Sequence, residues 1–223
     1  MKPTIKSTAD RTEFIRANTT LEAPILVPEF KLHLATEITP IWQATEAMLE
    51  QAGIDPPYWA FCWPGGQALA RYVLDNPSVV AGKTVLDFAA GSGVAALAAM
   101  RAGAHHAIAN DIDALSLLAA QLNAQTNSHN IATDGRDLLA LEPDPAIDVI
   151  LAGDVCYEKP MAARAFAWLR KNAAAGKTVL LGDPGRNYLP VQGLEELTRY
   201  DIPTSLQLEN RGMKETVVWR VLE

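Results

Sequence analysis

The residues with the most chemistry to offer in this chain are aspartates placed at the ends of apolar runs. Asp87 closes "TVLD", Asp111 follows "HAIAN", Asp154 closes "VILAGD", Asp183 closes "TVLLGD", and Asp137 lies just beyond "NIATDG". Short apolar runs of this kind read as buried parallel strands, and ligands of open α/β sheets bind outside the carboxyl ends of the strands. The expected crevice is therefore ringed with carboxylates. At the low effective dielectric of a cleft, such a ring repels a pyrophosphate and holds a cation. The same acids have a structural use as helix N-caps, to which Asp183 is the best suited.

Between Asp87 and the next helical stretch lies "GSGVAA", which satisfies G-x-G-x-x-G/A, and Asp111 follows Gly91 at about the spacing of a ribose-binding acid in dinucleotide folds. Alone, that motif admits a dehydrogenase. Asp87 weighs against one, because a carboxylate four residues before the first glycine suits a nucleoside that carries a sulfonium and an ammonium group, S-adenosylmethionine. Glycines also let a backbone approach a ligand closely.

A second segment, "GDVCYEKP", sets Tyr157 three residues after Asp154. Methyl transfer to an amine requires a neutral lone pair in line with the methyl carbon at about 3 to 3.5 Å, so positioning dominates. A carboxylate draws in and orients an ammonium while raising its pKa, which opposes formation of the neutral nucleophile. Asp154 is thus expected to bind and aim the amine, with Tyr157 offering its hydroxyl or ring face. The alternative use of this pair is a strand-end cap with an inward-packed tyrosine.

These residues need elements to hold them. From residue 83 onward the pattern alternates: "TVLDFA" as strand, 93–102 as helix, "HAIANDI" as strand, 114–127 as helix, then "NIATDG" and "IDVILAGDV" as strands, 160–172 as helix and "TVLLGDP" as strand. Such βαβ repetition predicts an α/β fold around a mostly parallel sheet with helices on both faces. The tail breaks the rhythm: "TSLQLEN" and "KETVVWRVL", joined through a turn at Arg211 and Gly212, read as two strands of which one runs antiparallel. Ahead of the core lie a capped helix over 7–17, a proline-punctuated extended piece, a helix over 40–51 and the aromatic segment "PPYWAFCWPGG". We expect residues 1–64 to form a cap and residues 65–223 the ligand-binding core of a single domain.

D-x-x-x-G-x-G closing a first strand, with an acid closing the second, resembles the class I seven-strand S-adenosylmethionine-dependent methyltransferases over about residues 83–223. The resemblance implies a Rossmann-like sheet with an antiparallel C-terminal strand. It also implies that Gly91, Ser92 and Gly93 pass the methionine part of the cofactor, Asp111 binds the ribose, Asp87 the amino group through water or backbone, and Asp137 the adenine amine. D-x-x-Y at Asp154 and Tyr157 is similar to the motif of the family 16 protein lysine methyltransferases. Seven-strand enzymes acting on DNA bases or glutamine carry N/D-P-P-Y there, and the absent prolines point to an amine acceptor. "WAFCWPGGQALARY" resembles the stretch before the core in the same family, which makes Trp63, Gly66 and Gln67 candidate cofactor neighbours. Tyr58, Trp59 and Phe61 are expected to pack as core or cap. With "GDPGRNYLP" added, residues 56–190 are most similar to the bacterial enzymes that methylate the electron-transfer flavoprotein β-subunit, which implies that subunit as protein substrate. A small-molecule amine N-methyltransferase is the alternative, and a non-catalytic cofactor-binding module a third. Arg186, within "PGR", is expected at the rim as a solvated loop arginine able to meet an acidic group on a partner.

Bulk composition agrees with a soluble enzyme and narrows its partners. Among 223 residues, 49% are hydrophobic and 20% charged, and the net charge of −7 gives no general attraction for nucleic acid. No apolar run approaches the ~18 residues that span a bilayer. Asp10, Glu13, Glu22 and Glu29 suit neither a secretory nor a mitochondrial leader, so a bacterial, cytoplasmic setting is expected. Cys62 and Cys156 form no disulfide framework and read as small apolar fillers. His33, His105, His106 and His129 share no ligand spacing, and no metal is expected.

Overall fold

A computed structural model describes residues 7–36, 41, 56–203 and 212–223. Among these, seven strands form one sheet: β3 (Thr84–Phe88), β4 (His106–Asn110), β5 (Ala132–Asp134), β6 (Val149–Gly153), β7 (Thr178–Asp183), β8 (Leu194–Pro203) and β9 (Met213–Val221), in the order β5-β4-β3-β6-β7-β9-β8. The first five are parallel, and β9 runs antiparallel between β7 and β8. The chain steps outward from β3 to β4 and β5, then returns to lay β6 on the other side of β3. That reversal is a topological switch point, where a crevice opens above the strand ends.

Both faces of the sheet are covered, as the continuous apolar runs predict. Helices α2 (Pro64–Asp75) and α3 (Val94–Arg101) bury Leu69, Val73 and Leu97 against one face. Helix α5 (Lys159–Ala174) buries Ala165, Trp168 and Leu169 against the other. Along β3, Val85 belongs to the first layer while Leu86 and Phe88 belong to the second, the alternation a pleated strand imposes. Helix α4 (Ala114–Thr126) begins at Asp113, whose carboxylate accepts the Leu115 N–H.

The N-terminal segment is built onto the same core. Helix α1 (Thr8–Asn18) starts with a capping box between Ser7 and Asp10, and strands β1 (Thr20–Glu22) and β2 (Leu32–Leu34) form a small antiparallel pair. Val27, Phe30, Leu32 and Leu34 join the apolar layer beneath α2 and α3. Side-chain amides of α4 tie down the backbone there: Asn123 accepts the His33 N–H at 2.7 Å, and Asn127 accepts the Lys31 N–H at 2.9 Å while donating to its carbonyl at 2.7 Å.

The end of the chain departs from expectation. "KETVVWRVL" supplies all but the first residue of β9, but its antiparallel neighbour is Leu194–Pro203, a strand that the sequence pattern does not predict. That strand lies at the sheet edge, carries Glu195, Glu196, Arg199 and Asp201, and has a register shift between Glu196 and Thr198. A polar edge strand with a bulge lacks the clean alternation by which strands are recognised. "TSLQLEN" with Arg211, and the helix expected over 40–51 apart from buried Ile41, lie outside the described residues.

Candidate functional site

Asp87 is 3% exposed at the end of β3, and one of its oxygens accepts the Ala96 N–H at 2.9 Å. Ala96 is the third residue of α3, whose N-cap Gly93 has no side chain to offer. Asp154, at the end of β6, does the same for α2: its Oδ2 accepts the N–H of Gly66 at 3.1 Å, the third residue after the uncapping Trp63. Capping is thus done by Asp87, a few residues before its helix, and by Asp154, 88 residues after the Gly66 it caps. Each carboxylate also sits at the positive end of a helix dipole.

Burial still dominates at Asp87, lifting its pKa to about 8 with the nearby Asp111 adding to the rise. The glycine loop therefore holds an acid that a neighbouring cation would ionise. Asp111 is raised as well, chiefly by burial, although it accepts the Gly91 N–H at 3.0 Å and the Asp113 N–H at 3.0 Å. Gly91 has φ +50° and Gly93 φ +75°, conformations that favour glycine. At Gly93 a Cβ would also stand 2.7 Å from the Ala120 Cβ, so this glycine serves the contact between α3 and α4. Ser92 is buried, with its carbonyl accepting from Asn123 Nδ2 at 2.9 Å.

Two non-glycine residues near these strand ends adopt left-handed backbone: Ala89 with φ 53° and Asp154 with φ 58°. Such conformations cost free energy and cluster where a side chain must be aimed. At Asp154 the chain turns so that its side chain meets α2, and its N–H donates to the Gly182 carbonyl at 2.9 Å. The approach of α2 is possible because three backbones lack side chains. A Cβ on Gly65 would lie 2.2 Å from the Gly182 carbonyl, one on Gly153 would lie 2.8 Å from the Gly66 nitrogen, and one on Gly182 would lie 2.3 Å from the Gly65 carbonyl.

The structure brings Trp63, Gly66, Asp87, Gly91, Ser92 and Asp154 around one pocket with Phe61 in its wall, while Gly93 and Asp111 do not line it. Gln67 stands apart. Its amide carbonyl accepts the Leu26 N–H at 3.2 Å and its amide nitrogen donates to the Cys62 carbonyl at 2.7 Å, so it ties the N-terminal segment to the aromatic loop. Asp137 caps a turn: its carboxylate accepts the Leu139 N–H at 3.0 Å and pairs with Arg164 at 3.2 Å. Ile112, directly after Asp111, is 79% exposed, an apolar surface left uncovered beside the second strand end.

Tyr157 is exposed and its ring packs at 5.6 Å from Tyr58, which in turn lies 6.2 Å from Trp63. Burial and then Tyr58 raise the Tyr157 pKa, so it stays a neutral phenol. Tyr58 stands at the mouth of the site, Phe61 lines the pocket while packing against the Trp59 cluster, and Trp59 is fully buried in the core. Arg186 departs most from its reading as a solvated arginine. It donates twice to Asp154 Oδ1, at 3.1 and 2.7 Å, and lies 5.6 Å over the Trp63 ring. Asp183 accepts the Arg186 N–H at 2.7 Å through Oδ1, its buried Oδ2 has no hydrogen-bond partner among the described residues, and burial lifts its pKa to about 6. No sequence signal beyond "DPGR" marked Arg186 for the site, because its partners come from β6 and the loop before α2.

Cys62 and Cys156 are free thiols, and burial drives both pKa values upward, that of Cys156 to about 12. Among the described residues no group of three or more His, Cys, Asp or Glu side chains is arranged to hold a metal ion, and no helix is long and apolar enough to cross a membrane.

Comparison with known proteins adds an independent line. The family profile described as Ribosomal protein L11 methyltransferase (PrmA) matches residues 67–155. The chain is 38% identical to the electron transfer flavoprotein beta subunit lysine methyltransferase of Danio rerio over 95% of this chain and 80% of that protein. Against the Homo sapiens protein of the same name it is 38% identical over 92% of this chain and 80% of that one. Among solved structures, magnesium protoporphyrin IX methyltransferase (ChlM) from Synechocystis PCC 6803 with bound SAM superposes with a TM-score of 0.54 at 15% identity, over 82% of this chain and 88% of that one, which shows the shared fold.

Proposed function

This chain belongs to the electron transfer flavoprotein beta subunit lysine methyltransferase family, and from that premise we propose that it methylates lysine side chains of that flavoprotein subunit. The observation that carries the reading is the identity of 38% across nearly the whole chain, Asp154 and Tyr157 included in its span. S-adenosylmethionine is the cofactor, and it supplies the methyl group when bound. The site's donor set suits it: a buried acid at the glycine loop for an ammonium, a second acid at β4 for ribose hydroxyls, and bare Ile112 for the face of a base.

In this reading Asp87, Gly91, Ser92, Gly93 and Asp111 hold the cofactor, with Trp63 and Gly66 closing its flank. Gln67 is a further neighbour of the cofactor, and Asp137 lies toward the adenine amine. Asp154 binds and aims the acceptor amine, and Tyr157 lines its path with a neutral hydroxyl. The same proposal treats residues 1–64 as a cap on a core of residues 65–223. It also places the protein in a bacterial cytoplasm; the two free thiols support the reducing character of that compartment.

The test is incubation of the purified protein with labelled S-adenosylmethionine and isolated flavoprotein β-subunit. Label on lysines is expected, and Asp154→Ala should keep cofactor affinity while losing transfer by at least about a hundredfold, the scale of a lost positioning group. Label that appears only on small amines would favour the small-molecule reading, and tight binding without any transfer would favour a binding module.

A further inference from the structure

Asp154 would hold an incoming ammonium through its two oxygens, and each already accepts a donor from the protein, with Oδ1 taking two. Oδ2 accepts the Gly66 N–H, and Oδ1 accepts two bonds from the Arg186 guanidinium. Arg186 is itself firmly seated, with a side chain 17% exposed, a ring contact to Trp63 and a backbone N–H bound to Asp183. A guanidinium with a charge-assisted pair and a ring beneath it is stabilised well beyond a solvated surface arginine.

Two spaces meet at this pair. On one side lies the glycine-loop pocket, bounded by Trp63, Gly91 and Asp154. On the other lies a cavity of about 880 Å³, bounded by Tyr157, Asp183, Arg186, Asn187, Met213 and Trp219. In-line transfer needs the acceptor nitrogen within about 3.5 Å of the donor carbon. A nitrogen entering from the large cavity toward Asp154 arrives where the guanidinium now stands.

We propose that Arg186 is a specificity-determining residue, an internal cation that occupies the acceptor amine's place on Asp154 and yields it to a lysine carried on a polypeptide segment filling the cavity. This deepens, and rests on, the reading of the protein as a lysine methyltransferase. A free amine brings one ion pair and must displace a cation that already has that pair and an aromatic ring. A segment of chain brings its lysine together with contacts along the cavity, whose volume matches a multi-residue ligand better than one side chain. The exchange then favours the acceptor, and small amines are left unmethylated.

The experiment compares the purified wild type with Arg186→Ala and Arg186→Lys, using the flavoprotein β-subunit and n-butylamine as acceptors. The ratio of kcat/KM for n-butylamine to that for the protein should rise about tenfold or more in Arg186→Ala, the size expected of losing one charge-assisted competitor. It should rise less in Arg186→Lys, and millimolar guanidinium should reverse the gain in Arg186→Ala by competing with the amine. Equal loss of transfer to both acceptors, or restoration of activity by guanidinium, would instead make Arg186 a mere support and overturn the proposal. Should the variants not fold, hydrogen exchange at the Arg186 Nε in the wild type decides: it should speed about tenfold when the flavoprotein β-subunit binds the product complex, as expected when a charge-assisted pair opens, and stay unchanged with n-butylamine. Unchanged exchange in a complex saturated with the β-subunit would sink the inference. A wild type that methylates no lysine would count against the proposed function, whereas a gain of n-butylamine methylation in Arg186→Ala still reports separately on Arg186.

Discussion

Asp87 illustrates how a single carboxylate serves the fold and the site at once. Its bond to Ala96 N–H orients the start of α3, and its burial leaves it with a pKa near 8 in the folded protein. An unfolded aspartate titrates near ~3.9. Because the folded state holds the proton more tightly, this group's contribution to stability is full below about pH 4 and is lost as pH rises toward 8. Asp87→Asn keeps an oxygen for Ala96 and removes the titration. The melting temperature of the cofactor-free wild type should therefore fall between pH 5 and 8 more steeply than that of the variant, and parallel slopes in a calorimeter would refute the assignment.

Between elements, the close crossing of α2 over β6 and β7 sets the geometry at Asp154. Gly65, Gly153 and Gly182 make that crossing possible, and the Gly182 position has no room even for a methyl group because its obstacle is backbone. Gly182→Ala should cost about 2 to 3 kcal/mol in denaturant unfolding, the scale of overpacking a tight contact. By pushing Gly66 away from Asp154 Oδ2, it should lower transfer more than cofactor affinity. A variant with wild-type stability would show that the helix can slide without penalty.

Across the molecule, Asn123 joins regions that are far apart in sequence. It is fully buried, accepts from His33 in β2 and donates to Ser92 in the glycine loop. The N-terminal segment and the cofactor loop thus share one side chain on α4. Asn123→Ala orphans the part-buried His33 N–H and the buried Ser92 carbonyl, the latter at about 1 to 3 kcal/mol, and should loosen the loop. We expect a clear fall in unfolding free energy with weaker S-adenosylmethionine binding by calorimetry, while the conservative Asn123→Asp should retain the bond from His33 and lose the one to Ser92. Undiminished cofactor affinity in Asn123→Ala would show the loop to be self-supporting.

What could be read from the residues alone was whatever local pattern dictates. Apolar β-branched runs marked β3, β4, β6 and β7, the acids and glycines at their ends marked the crevice, and D-x-x-Y marked Asp154 and Tyr157, because each signal lies within a few neighbouring residues. Edge strand β8 escaped notice, since a charged, bulged edge has no buried face to impose a period. Only the tertiary structure decided which acids cap which helices, that Gln67 and Asp137 serve neighbouring backbone, and that Tyr58 stands at the mouth beside Tyr157. It alone seated Arg186 on Asp154, because that contact joins the loop after β7 to the end of β6 across 32 residues, and a pairing set by how two strands and a helix pack has no signature along the chain.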